Sequence, residues 1–166
     1  VRDRVRHVGL GDIIVPRSFE RACYVNAHSE RYVSFLETAW AEWTAIGRTH
    51  DALPLVWPVR DLANQQVPDF IDGKLGFFAM DAGSPITRTT WDAVRTSADI
   101  ALTGLALLDE GHNSAFALCR PPGHHAAREY MGGYCYLNNA AIAAQQAITQ
   151  GAKRVAVLDV DFHHGN

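Results

Sequence analysis

Residues 114–166 read SAFALCRPPGHHAAREYMGGYCYLNNAAIAAQQAITQGAKRVAVLDVDFHHGN, and the order of patterns in this stretch decides the fold. A short apolar run at 114–119 opens it and another at 155–160 closes it, both of strand length. Between them 138–150 is rich in alanine with helical spacing, and Gly151 stops it. Strand, helix and strand in that order predict a parallel pair joined by a right-handed crossover, and hence an α/β sheet. In such sheets functional side chains collect beyond the carboxyl ends of the strands. Both polar clusters of the chain fall there: Arg120-Pro121-Pro122-Gly123-His124-His125 follows the first run, and Asp159-Val160-Asp161-Phe162-His163-His164-Gly165-Asn166 continues the second.

Side chains alternate along extended backbone, so Asp159, Asp161 and His163 share one side, while Val160, Phe162 and His164 take the other. Two carboxylates this close in an apolar segment repel one another unless a cation or proton donor lies between them. A divalent metal meets that need, and Asp with His suits zinc among other ions. A lone Asp-x-Asp more often makes a turn, and a lone His-His pair more often decorates a surface. Two histidine pairs and two aspartates at matching strand ends change those odds. The glycines Gly132 and Gly133 permit backbone conformations closed to other residues beside Tyr134; an ordinary turn with Tyr134 and Tyr136 as core aromatics explains them about as well.

Upstream, 90–110 is the strongest helical pattern, with Trp91, Val94, Ala98, Ala101, Leu105 and Leu108 on one stripe and Gly111 as the stop. Residues 29–46 form a second amphipathic helix on Tyr32, Val33, Leu36, Trp40 and Trp43, capped by Ser29. At the start, a helix end over 4–11 leads into a strand at 12–15 that Pro16 closes. Residues 47–85 mix prolines and glycines with Trp57, Phe70, Phe77 and Phe78, which predicts a long structured excursion lining a site or an oligomer contact.

With 166 residues, 48% of them hydrophobic, the chain is long enough to bury a core. Its net charge of −3 argues against a nucleic-acid partner and leaves a cationic small substrate compatible. No apolar run is long enough for a bilayer, so no membrane partner is expected. Three cysteines without a CxxC spacing indicate neither a disulfide framework nor a cysteine-zinc site, which points to a reducing cytoplasm. The chain opens at Val1 without a signal-peptide pattern, and the expectation is that the true start lies upstream.

The stretches RPPGHHAAREYMGGYCYLNNAAIAAQ and RVAVLDVDFHHGN resemble the core motifs of the arginase and deacetylase superfamily, above all bacterial acetylpolyamine amidohydrolases and class II histone deacetylases. HSERYVSFLETAW at 28–40 and GFFAMDAGSPI at 76–86 resemble the polyamine-deacetylase branch. The resemblance implies a three-layer fold with a parallel sheet between helices, and 1–166 as a partial deacetylase domain lacking the first strand and the C-terminal part. It also implies one catalytic Zn²⁺ held by two aspartates and a histidine, of which Asp161 and His163 match two. His124 and His125 match the paired general acid and general base, with His125 the base and proton shuttle. Asp159 matches the acidic partner of His124, and Asn166 falls where the partner of His125 is found. Asp159, Asp161 and His163 lie in the segment of a potassium site, to which His164 presents backbone oxygen. Gly133 and Tyr134 match the walls of a substrate tunnel fitted to a slender acetylated amine, and Cys135 matches packing rather than a nucleophile.

The third zinc ligand and the oxyanion-stabilising tyrosine of the family have no match before Asn166, so the chain alone is expected to bind zinc weakly and to be inactive. The excursion at 47–85 favours acetylpolyamines over acetyl-lysine in proteins, and homodimerisation. Three other readings stand beside this one: a histone deacetylase acting on acetyl-lysine, an arginase-like binuclear manganese ureohydrolase, and a non-catalytic fragment that binds acetylated amines or a protein. The His124-His125 pair favours a deacetylase over the manganese branch.

Overall fold

A computed structural model of the chain describes residues 1–59 and 66–166. Among the described residues six helices carry the architecture: α1 (Arg2–Val8), α2 (Ala22–Val25), α3 (Glu30–Ala45), α4 (Ile71–Phe77), α5 (Thr90–Asp109) and α6 (Asn139–Thr149). Their ends follow from local chemistry. The Ser29 hydroxyl accepts from the Tyr32 N–H at the start of α3, and the Asn138 side chain accepts from Ala141 N–H at the start of α6, each satisfying a donor the helix itself cannot. Gly9, Gly111 and Gly151 follow α1, α5 and α6 with positive φ.

The core forms where α3 lays Tyr32, Val33, Phe35, Leu36, Ala39 and Trp43 against Leu75 of α4, Phe78, Val94 and Leu102 of α5, and Ile142 of α6. Phe35 and Phe78 stack with ring centroids 4.7 Å apart. The buried face of α5 differs from the expected stripe. Val94 and Ala98 are buried, but Leu108 is exposed, and Ser97, Asp99 and Thr103 are buried in place of leucines. Each of these polar groups has a partner: the Tyr24 hydroxyl donates to Asp99 at 2.6 Å, Thr103 donates to the Asp99 carbonyl, and Ser97 donates to the Pro121 carbonyl at 2.7 Å. Burial pushes the Asp99 carboxyl up, against the pull of the Tyr24 hydrogen bond.

The expected strands are where the structure departs from the sequence reading. Residues 12–15, 114–119 and 155–160 carry no ladder; the described residues show only isolated bridges, Ala52 to Ile86, Ala79 to Met131 and Gly132 to Cys135. The segments are apolar but uncovered, with Phe116 80% exposed, Leu158 88% and Val160 86%. A strand exists only through its neighbours, and among the described residues no ladder partner lies beside these backbones and most of these apolar side chains are exposed. Of the excursion at 47–85, residues 60–65 lie outside the described residues; the remainder is ordered around α4, and Trp57 Nε1 donates to the Ala79 carbonyl at 3.0 Å. Cys23, Cys119 and Cys135 are unpaired. No helix among the described residues is long and apolar enough to cross a membrane.

His28, 1% exposed, ties two elements together, since its Nε2 accepts from the Asn138 N–H at 2.9 Å just before α6. Burial lowers its pKa from 6.5 to about 4, although the nearby carbonyls of Ala127 and Arg128 favour the protonated ring. Nδ1 nonetheless makes no hydrogen bond within normal geometry. A pKa depressed by folding means the unfolded chain takes up the proton first. The stabilisation is therefore complete above pH 6.5 and is lost as the pH falls from 6.5 towards 4. The loss amounts to about 3 kcal/mol at most. Urea unfolding between pH 7 and pH 4 is expected to show that drop in the wild-type protein, and a flatter dependence in H28Q, whose amide still accepts a hydrogen bond but does not titrate.

Candidate active site

The segment 120–128 is gripped from both sides by the helical core. Asn139 Nδ2 donates to Ser97 Oγ at 3.1 Å and to the Pro121 carbonyl at 3.3 Å, so α5 and α6 jointly hold the chain three residues before His124. Beyond the histidines, Asn138 Nδ2 donates to the Ala126 carbonyl at 3.1 Å, and Ser29 N–H donates to the Arg128 carbonyl at 3.0 Å. Asn138 and Ser29 serve their helices and the site loop together.

Held in this way, His124 and His125 lie with ring centroids 4.0 Å apart. His124 Nδ1 and Asp159 Oδ2 are 2.9 Å apart across 35 residues of sequence. With Nδ1 protonated and donating to the carboxylate, Nε2 is left free to accept a proton. Asp159 sits below the usual carboxylate range, chiefly because its other oxygen accepts the Asp161 N–H and then because of His124. Asp161 is lowered in the same way, by the His163 N–H and then by the His163 ring. These repeated bonds to the backbone two residues on keep Asp159, Asp161 and His163 on one side, as alternation predicts, while Phe162 is 96% exposed on the other.

Asp161 Oδ1 and His163 Nδ1 lie 3.1 Å apart, and the His163 ring centroid lies 6.1 Å from that of His125. Two ligands of one tetrahedral zinc stand about 3.3 Å apart, so this pair has the donors and the spacing for that ion. Among the described residues no group of three His, Cys, Asp or Glu side chains is gathered to hold a metal. Asn166 reaches the histidines through their backbone: its N–H donates to the His124 carbonyl at 2.8 Å and its Nδ2 to the His125 carbonyl at 2.5 Å. It does not meet the His125 ring, the contact expected of an orienting partner. His164 is exposed, outside the cluster.

Gly133 and Tyr134 occupy the tip of a tight turn closed by paired hydrogen bonds between Gly132 and Cys135, at 3.0 and 2.8 Å. Both tip residues have positive φ, 53° and 63°, as a two-residue hairpin of the I′ type requires. The turn packs on the catalytic candidates: a Cβ on Gly133 would come within 2.3 Å of His125 Cδ2. Tyr134 is 67% exposed and so is not a core residue, whereas Tyr136 is. Cys135 is buried and its thiol is pushed up by burial, which fits packing.

A model of the histone deacetylase domain matches residues 2–166. The chain belongs to the histone deacetylase family. It is 57% identical over 166 residues to acetylpolyamine amidohydrolase 2 of Pseudomonas aeruginosa, covering 100% of this chain and 48% of that protein. Acetylpolyamine amidohydrolase 1 of the same organism is 49% identical over 164 residues, 98% of this chain and 47% of that one. The crystal structure of acetylpolyamine aminohydrolase from Burkholderia pseudomallei superposes with a TM-score of 0.87 at 37% identity, covering 99% of this chain and 47% of that chain. The chain thus spans just under half the length of these relatives, and over that span it has the deacetylase architecture.

The sequence reading passed over two groups at this site, Asp81 and Ser84. Asp81 Oδ2 accepts the Gly133 N–H at 2.6 Å, and Ser84 Oγ accepts the Tyr134 N–H at 2.9 Å. The signal was present as Asp81-Ala82-Gly83-Ser84, a turn in which Asp81 Oδ1 also accepts the Gly83 N–H at 2.8 Å, but nothing local says which distant backbone the second oxygen meets.

Proposed function

We propose that the chain carries part of the active site of a zinc-dependent amidohydrolase that removes acetyl groups from small amines, acetylpolyamines before acetyl-lysine peptides. The observation that carries this reading is the His124–Asp159 hydrogen bond at 2.9 Å beside the His125 ring, whose centroid is 4.0 Å from that of His124, together with the nearby Asp161–His163 pair. In it Asp159 accepts from His124 Nδ1–H, and His124, once protonated on Nε2 as well, hands that second proton to the departing amine. His125 takes the proton from the attacking water. Gly133 and Tyr134 wall the approach for a narrow acylated alkyl chain. Asp161 and His163 hold the zinc with a third ligand, an aspartate, from outside these 166 residues. When bound, the ion polarises the amide carbonyl and lowers the pKa of a water. The names of the relatives support the substrate class.

Residues 114–119 and 155–160 become, on the same reading, strands of a parallel sheet completed by the rest of the polypeptide, which accounts for their exposed apolar side chains. Leu55, Val56, Val59 and Phe70, also exposed, give the excursion an apolar surface for a homodimer.

The test uses the full-length protein. Metal analysis is expected to give one zinc per chain, acetylputrescine to be hydrolysed faster than an acetyl-lysine peptide, and light scattering to give the dimer mass. Two manganese ions per chain would turn the reading towards the ureohydrolase branch, faster peptide turnover would overturn the substrate preference, and hydrolysis of neither substrate would leave a binding role. The isolated 166-residue chain is expected to show no turnover, and its deacetylase activity with tight stoichiometric zinc would refute the split site.

A further inference from the structure

In a two-residue hairpin of the I′ type the tip N–H groups ordinarily face water, and a side chain at a positive-φ position adds strain. Here neither tip donor is left to solvent. The Gly133 N–H goes to Asp81 and the Tyr134 N–H to Ser84, whose hydroxyl is fully buried. Both acceptors come from a strap about fifty residues earlier in the chain, which runs beside the turn. Met80 N–H donates to the Met131 carbonyl at 2.9 Å and Met131 N–H to the Phe78 carbonyl at 2.8 Å. Pro85 closes the far end, its carbonyl accepting the Tyr136 hydroxyl at 2.6 Å. The strap also lies under the aromatic wall, since a Cβ on Gly83 would stand 4.0 Å from Tyr134 Cε1.

From this geometry we infer that Asp81 and Ser84 are positioning residues that lock the Gly133–Tyr134 turn against His125 and so set the width of the substrate approach. Their oxygens act as acceptors for two backbone donors and touch neither the substrate nor the reacting atoms. The inference rests on the proposed deacetylase reading for its kinetic consequence, but not for its structural one. Asp81 works through its hydrogen bond, with Oδ1 occupied by Gly83 N–H and Oδ2 by Gly133 N–H, so an amide oxygen in its place keeps part of the function. The negative charge is not the requirement.

The experiment compares full-length wild-type, D81A, D81N and S84A proteins by hydrogen–deuterium exchange of the peptide spanning Met131 to Tyr136, and by steady-state kinetics on acetylputrescine. D81A is expected to speed exchange in that peptide about tenfold and to raise KM by a similar factor, with a smaller change in kcat, as loss of the hydrogen bond to the Gly133 N–H implies. D81N is expected to return both to within about threefold of wild type. S84A is expected to speed exchange at the Tyr134 amide, and it decides the matter if D81A does not fold. Unchanged exchange in D81A and S84A would overturn the lock, as would faster exchange with an unchanged KM. A D81N protein as impaired as D81A would show that the carboxylate charge acts instead. If the wild-type protein hydrolyses no acetylated amine, the proposed function fails while the exchange data still judge the lock.

Discussion

Replacing Asp161 by alanine in the full-length protein is expected to take bound zinc from one per chain to below about one in ten, and to lower amide hydrolysis on the order of 10³-fold or more. Loss of groups that merely orient a ligand costs about 10- to 100-fold in metal affinity, and loss of the ligand itself costs at least that. Asp161 makes its hydrogen bonds to the N–H and ring of His163 at the surface and packs against no part of the hydrophobic core. The fold itself should therefore survive, with a fall in unfolding temperature that matches that of the metal-free wild-type protein, whose bound zinc no longer stabilises it. Plasma emission analysis and acetylputrescine turnover on the same preparations check both halves. A D161A protein that keeps its zinc and its turnover would place the metal elsewhere and remove the reason for reading His124 and His125 as its proton carriers.

That pairing was legible in the sequence because it depends on local rules. Alternation in an extended segment put Asp159, Asp161 and His163 on one side, and the structure keeps them there by bonds two residues long. Capping chemistry was equally local, with Ser29 starting α3 as its side chain dictates. What could not be read was whatever needed a distant partner. The apolar runs at 114–119 and 155–160 have strand composition, but composition supplies no neighbour, and among the described residues they stand exposed. Leucine spacing placed Leu108 on the buried stripe of α5, while Asp99 and Thr103 are buried through contacts with Tyr24 and Arg17, more than seventy residues away in sequence. Nothing local marks His28 as buried, because its partner Asn138 is brought to it from 110 residues away. Asn166 was matched by motif to the partner of His125, and which atom of that residue it meets, the carbonyl, is set by the folded chain.

Gly133 is the position where backbone geometry and proposed chemistry meet most closely, and G133A is expected to lower kcat about 10²-fold while the protein stays folded. Two costs separate cleanly. The φ of 53° is open to glycine and strained for alanine, a penalty of about 1 kcal/mol that unfolding experiments would register as a modest fall in midpoint. The added methyl also finds the His125 ring in its way, with Cδ2 at 2.3 Å, Cγ at 2.9 Å and Nε2 at 3.2 Å. A rigid ring displaced by about 1 Å from the proton it must take loses on the order of 10²-fold in rate. The effect should fall on kcat more than on KM, in contrast to D81A, which loosens the wall without driving anything into the imidazole. A double-mutant cycle decides whether the displaced ring is the cause. If Gly133 acts through His125, the G133A and H125A substitutions together cost no more than H125A alone. If the two losses multiply, the methyl harms the substrate approach by itself, and the packing of Gly133 on His125 has no part in moving the proton.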